Sequence, residues 1–100
     1  MTILESKISN QIRAEISKRG GHSLKLAASV HSGSGHPDII GCLPTPTGAQ
    51  IIVCETKRPG EEPRPLQWHR LREWRRAGAI AISATSVEDF NQKLEEQRGY

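Results

Sequence analysis

Long apolar runs are missing from this 100-residue chain, and no stretch approaches the roughly 20 apolar residues that span a bilayer. The amino terminus also lacks a basic segment followed by a hydrophobic one, the pattern of a secretory leader. These absences predict a cytoplasmic chain with no membrane role. Cysteine is scarce as well. Cys42 and Cys54 are not spaced as a zinc motif, and both read as small buried residues rather than ligands or disulfide partners. Nor do the four histidines, His22, His31, His36 and His69, show a spacing that demands a metal site. With no internal repeat and no break in composition, residues 1–100 read as one domain.

What is present suits a packed globule, because hydrophobic residues make up 35% of the chain and charged ones 25%. The net charge of +3 is unevenly spread. From Lys57 to Arg76 seven basic residues (Lys57, Arg58, Arg64, Arg70, Arg72, Arg75, Arg76) face three acidic ones (Glu61, Glu62, Glu73), a local excess of four. Such a patch fits a phosphate backbone, and it also fits a solvated arginine-rich helix face.

The most informative stretch is His36 to Lys57, HPDIIGCLPTPTGAQIIVCETK. Two runs rich in β-branched residues, Asp38 to Cys42 and Ile51 to Thr56, flank the turn-favouring Pro44, Pro46 and Gly48. A hairpin folded about Pro46 and Thr47 sets Asp38 opposite Glu55, with Glu55 and Lys57 projecting to the same side. Two carboxylates ~4 Å apart repel by ~4 kcal/mol at an effective dielectric near 20. A hard divalent cation such as Mg²⁺ reverses the sign of that interaction, since it takes one or two carboxylates plus waters and phosphate oxygens. The backbone carbonyl of Thr56 is a candidate third oxygen. Acid, acid and lysine in this arrangement are what phosphodiester cleavage requires.

The rest of the chain supplies a frame. Leu4, Ile8, Ile12 and Ile16 recur every four residues and predict a helix over 3–19, N-capped by Thr2 and ended by Gly20 and Gly21. Glu5 and Glu15 lie near its apolar stripe. For Glu5 two readings stand: half of a Thr2–Glu5 capping box, or a carboxylate leaning over the hairpin to support a metal. Residues 23–29 predict a strand whose Lys25 is either an exposed lysine or a phosphate contact. Residues 30–36 form a glycine-containing loop, and residues 58–65 a proline-rich one. A helix over 66–77 follows, with Gln67, Leu71 and Trp74 on one face, so Gln67 points inward and needs a hydrogen-bonding partner, Lys57 or a metal-bound water. Trp68 reads as an edge residue or a base-stacking one. An interior strand over 79–84 lies beside 51–55, and Thr85 with Glu88 caps a last helix carrying Val87, Phe90 and Leu94. The order αβββαβα makes an α/β fold, a mixed central sheet flanked by helices.

Glu5 in a first helix, Gly35-His-Pro-Asp38, Glu55-Thr-Lys57-Arg-Pro-Gly60 and Gln67 together resemble the virus-type replication-repair nuclease (VRR-NUC) domain of the PD-(D/E)XK nuclease superfamily. That resemblance implies a restriction-endonuclease-like αβββαβ core plus a C-terminal helix. It further implies that Asp38 and Glu55 hold Mg²⁺ or Mn²⁺, with Glu5 and the Thr56 carbonyl in support, Lys57 acting on the attacking water or the developing charge, and Gln67 a companion. Stand-alone members resemble phage or bacterial homodimers acting on branched DNA, including Holliday junctions. Lys25, Arg58, Arg64, Arg70 and Arg75 are the candidate DNA contacts, and His36, beside the Asp38 loop, is a further possible one. The rival expectation is a noncatalytic nucleic-acid-binding module that keeps the fold and the basic patch.

Overall fold

The computed structural model describes residues 4–26 and 35–98. Its elements are α1 (Glu5–Lys18), β1 (His22–Lys25), β2 (Ile39–Thr45), β3 (Gly48–Thr56), α2 (Pro65–Arg76), β4 (Ile80–Ala84) and α3 (Val87–Arg98). The strands form one sheet in the order β1-β2-β3-β4. β1, β2 and β3 pair antiparallel, while β4 runs parallel to β3. A parallel neighbour needs a crossover, and α2 provides it. The expected α/β fold with a mixed sheet between helices is the one observed.

Side chains alternate along β3, and this divides the core in two. Ile52 and Cys54 meet the fully buried Ile8, Ile12 and Ile16 of α1 and Phe90 and Leu94 of α3. On the other side Val53 meets Leu71 of α2 and Ala81 of β4, with Ile40 and Trp74 at the margin. The single helix α2 covers only part of that side. Leu24 and Ile51 are therefore about half exposed, and Cys42 is exposed while Cys54 is buried. The expectation that both cysteines are buried fails for Cys42 because it sits opposite Ile51 beyond the reach of α2.

The hairpin register holds as expected. Ile39 pairs with Cys54 and Thr45 with Gly48 across a two-residue Pro46-Thr47 turn. The strands are longer than the β-branched runs suggest, and Pro44 lies inside β2 rather than in the turn. It is tolerated because β1 ends at the His22–Cys42 pair, so the edge beside Pro44 has no strand to donate to. At Gly41 a Cβ would lie 2.6 Å from the His22 carbonyl oxygen, so only glycine lets β1 approach β2 there.

Two caps differ from expectation. The N-cap of α1 is Leu4, with no side-chain cap, and Glu5 is the first helical residue rather than the third. Thr2 lies outside the described residues, as do 27–34, which carry the far end of the predicted first strand and most of the loop after it. At α3 the cap is Ser86, one residue later than predicted: its Oγ accepts the Asp89 N–H at 3.0 Å, and Asp89 Oδ2 accepts the Thr85 N–H at 3.0 Å. Asp89 rather than Glu88 reaches back, and it takes the N–H of Thr85, the residue before the cap.

The fully buried α1 stripe is what fixes this helix to the sheet. Ile12→Ala is expected to lower the unfolding free energy by about 3 kcal/mol, through lost transfer energy plus the cavity left behind. A urea denaturation curve at constant m-value measures it.

Candidate active site

Extending the β2–β3 register by one pair brings Asp38 to Glu55. Asp38 lies just before the start of β2 and Glu55 near the end of β3, and both line a cleft of about 500 Å³ together with Glu5, Lys25, His36, Lys57, Arg64 and Gln67. All five predicted catalytic side chains thus share one cleft. A larger hollow of about 710 Å³ lies at the other end of the sheet, between the hairpin tip and Trp74. Its lining carries no titratable side chain, so it offers nothing for hydrolysis.

Asp38 is held from three directions. Its Oδ1 accepts the Thr56 N–H at 2.7 Å, its Oδ2 accepts the Ser9 hydroxyl at 3.3 Å, and its carbonyl accepts the Leu26 N–H at 2.7 Å. Since N–H and C=O of one strand residue leave on the same side, the Thr56 carbonyl also points toward the Asp38 end of the cleft. Just before Asp38, Gly35 has φ +70, and a Cβ there would lie 2.9 Å from Leu66 Cγ. This glycine lets the chain press against the first turn of α2 and enter Pro37 and Asp38 at a fixed angle.

Glu55 is 5% exposed. Its Oε1 accepts the Gln67 side-chain amide at 2.8 Å and lies 3.7 Å from Lys57 Nζ, whereas its Oε2 is buried with no partner. Gln67 is the inward-pointing amide expected, though its partner is the acid rather than the lysine. Its own Oε1 accepts the Arg64 N–H at 2.8 Å, which fixes the amide so that its NH₂ faces Glu55. Burial pushes the Glu55 carboxyl up to about 7; Asp38 and, less strongly, Glu5 add to the rise, while Lys57 and Arg64 oppose it. Among the described residues no three His, Cys, Asp or Glu side chains are arranged to hold a metal ion by themselves.

Ser9 carries no signal of its own in the sequence. One turn after Glu5, it becomes recognisable only once α1 is laid beside Asp38. The basic residues divide. Lys25 and Arg64 line the cleft. Arg58 is taken by Glu61, through its Nε at 3.2 Å, and Arg70 by Glu73 at 2.8 Å. Arg75 donates to the Ala81 carbonyl at 3.3 Å, away from the cleft. Hydrogen bonding from Arg70 holds the Glu73 carboxyl below its ordinary range, and exposed His36 lines the cleft.

The sheet order, the crossover and the paired acids at the end of the hairpin define a nuclease-fold α/β domain. More particularly, the fold is that of VRR_NUC domains. A solved structure named "VRR_NUC domain" superposes with a TM-score of 0.71 at 26% identity, covering 91% of this chain and 94% of that one. A second, named "VRR_NUC domain protein", gives 0.66 at 14% identity, covering 95% and 88%. No family model and no curated protein matches the sequence. The resemblance carried by the Asp38, Glu55-Thr-Lys57 and Gln67 motifs is thus borne out at the level of the fold.

The raised Glu55 pKa has a definite sign. The folded chain holds this proton up to about pH 7, the unfolded chain only to its ordinary 4.5. Its contribution to stability is complete below pH 4.5 and is lost as pH rises toward 7, about 3 kcal/mol in all. Thermal melts without divalent ions are expected to show that fall, and Glu55→Gln to flatten it.

Proposed function

We propose that this chain is a metal-dependent, structure-specific DNA endonuclease that hydrolyses phosphodiester bonds, with branched DNA such as Holliday junctions as its substrate. The observation that carries the reading is the buried, unpartnered Oε2 of Glu55 beside the Asp38 carboxylate. A buried acceptor without a donor is costly, and a second carboxylate nearby makes it more so. A cation satisfies both, so the residues present fit Mg²⁺ or Mn²⁺.

Asp38, Glu55 and the Thr56 carbonyl would hold that ion, with Glu5 at the outer wall of the cleft. Two or three protein oxygens with the remaining positions left to water and phosphate is the way Mg²⁺ is usually held. The ion, when bound, supplies Lewis-acid stabilisation of the phosphate and makes water more acidic. The protein's own contributions are separate. Gln67 occupies Glu55 Oε1 and so leaves Oε2 for the cleft. Ser9 and the Thr56 amide fix the rotamer of Asp38. Lys57, close to Glu55 and largely buried, orients the attacking water or offsets negative charge gathering on the phosphate oxygens. Lys25 and Arg64 draw the phosphate backbone toward the acids.

The names of the superposing domains support a nuclease reading. Lys57→Ala and Glu55→Ala are each expected to reduce cleavage at least about 100-fold, as removal of a group acting on the reacting phosphate does, while DNA affinity changes little because phosphate binding rests on the arginines. Labelled four-way, flapped and linear DNA with Mg²⁺ or Mn²⁺, beside anisotropy titrations, reads both quantities. Binding by the parent chain without cutting under all these conditions favours the noncatalytic binding module instead.

A homodimer completes the proposal. Symmetric cutting of a junction needs two clefts, and the side of the sheet that α2 leaves uncovered exposes Leu24 and Ile51. Light scattering is expected to give twice the 11.1 kDa chain mass, and Ile51→Lys to shift it toward the monomer.

A further inference from the structure

Arg64, Trp68, Arg72 and Arg75 follow one another at spacings of four, four and three, which at ~100° per residue aligns them along one face of α2. This face carries no acid. All four are exposed, Trp68 by 38%, although the ring of a tryptophan is ordinarily hidden in a core. The adjacent face, with Leu66, His69, Arg70 and Glu73, is different in character, because its charges pair with one another. Arg64 reaches into the cleft, whereas Trp68 and Arg75 line a separate groove of about 390 Å³ along β4, whose α3 side carries Lys93 and Glu96. The face thus leads from the acids to the β4 edge, and Arg75, bonded to the Ala81 carbonyl, marks where it ends.

We infer that this face of α2 is a track for single-stranded nucleic acid leaving the cleft, with Trp68 as the platform on which one base stacks and Arg64 and Arg72 as the phosphate contacts on either side. Alternation of cation, ring and cation one helical turn apart matches alternation of backbone and base in an unpaired strand. A duplex does not suit the ring, because its base faces are already stacked on one another. The inference deepens the nuclease reading and rests on it in one respect, namely that the strand originates at the acids. Within the branched class it implies that an unpaired arm beside the scissile phosphate strengthens binding.

The test uses the full chain with EDTA, so that binding is read without cleavage. A fluorescently labelled oligodeoxythymidylate and a duplex of equal length are titrated by anisotropy. Trp68→Ala is expected to weaken single-strand binding by about fivefold or more while duplex binding stays unchanged, and Trp68→Phe to restore most of the loss. Arg72→Ala is expected to lower the slope of log affinity against log salt by about 0.7, and Lys18→Ala, at the far end of α1, to leave it unaltered. Circular dichroism confirms that each variant is folded. Equal weakening for both oligonucleotides, no effect of Trp68→Ala, or an equal effect of Lys18→Ala would overturn the inference. Absence of cleavage with these binding results intact would instead sink the nuclease reading alone.

Discussion

A carboxylate buried beside another carboxylate is the constraint around which this molecule is built. Glu55 lies at the far end of β3, 5% exposed, facing Asp38 across the hairpin mouth. An ionised Glu55 does not help the fold in the absence of a cation, since burial and the nearby Asp38 charge both act against its ionisation. The surrounding structure spends its hydrogen bonds on holding the pair in place. Ser9 and Thr56 hold Asp38, and Gln67, itself held by the Arg64 amide, grips one oxygen of Glu55. Local rules broken at one place and compensated by specific donors are the usual mark of a functional site.

The scaffold explains how such a site stays rigid. α1 contributes Glu5 and Ser9 from the same surface that buries Ile8, Ile12 and Ile16. β3 is paired on both sides by neighbouring strands, and α2 delivers Gln67 from its first turn while Leu71 anchors it below. Elements that carry the core therefore also carry the polar groups, so the side chains inherit the precision of the packing. The edge of β4 is closed by α3 side chains: the Gln97 amide exchanges hydrogen bonds with the Ala81 N–H and C=O, and Lys93 donates to the Ser83 carbonyl. These contacts occupy the open edge of the sheet.

The distribution of charge follows the same economy. Of the arginines gathered between Arg58 and Arg76, some are neutralised by local partners, as Arg58 is by Glu61 and Arg70 by Glu73. The basic groups that line the cleft, Lys25, Lys57 and Arg64, come from three different segments. A count of basic residues along the sequence overstates the patch, because i,i+3 pairing removes some of its members from the field that a phosphate meets.

Period and turn chemistry determined much of this protein from the sequence alone. The four-residue spacing of Leu4, Ile8, Ile12 and Ile16 fixed the first helix, and the turn at Pro46 and Thr47 fixed a register that sets Asp38 against Glu55, because each strand residue has one opposite partner. What only the tertiary structure decided depends on atoms brought together from distant segments. Ser9 on Asp38, Gln67 on Glu55 rather than on Lys57, and the exposure of Cys42 beyond the reach of α2 have no local cause. The first helix begins at Glu5 with Leu4 as its cap, two residues later than the Thr2 cap read from the sequence.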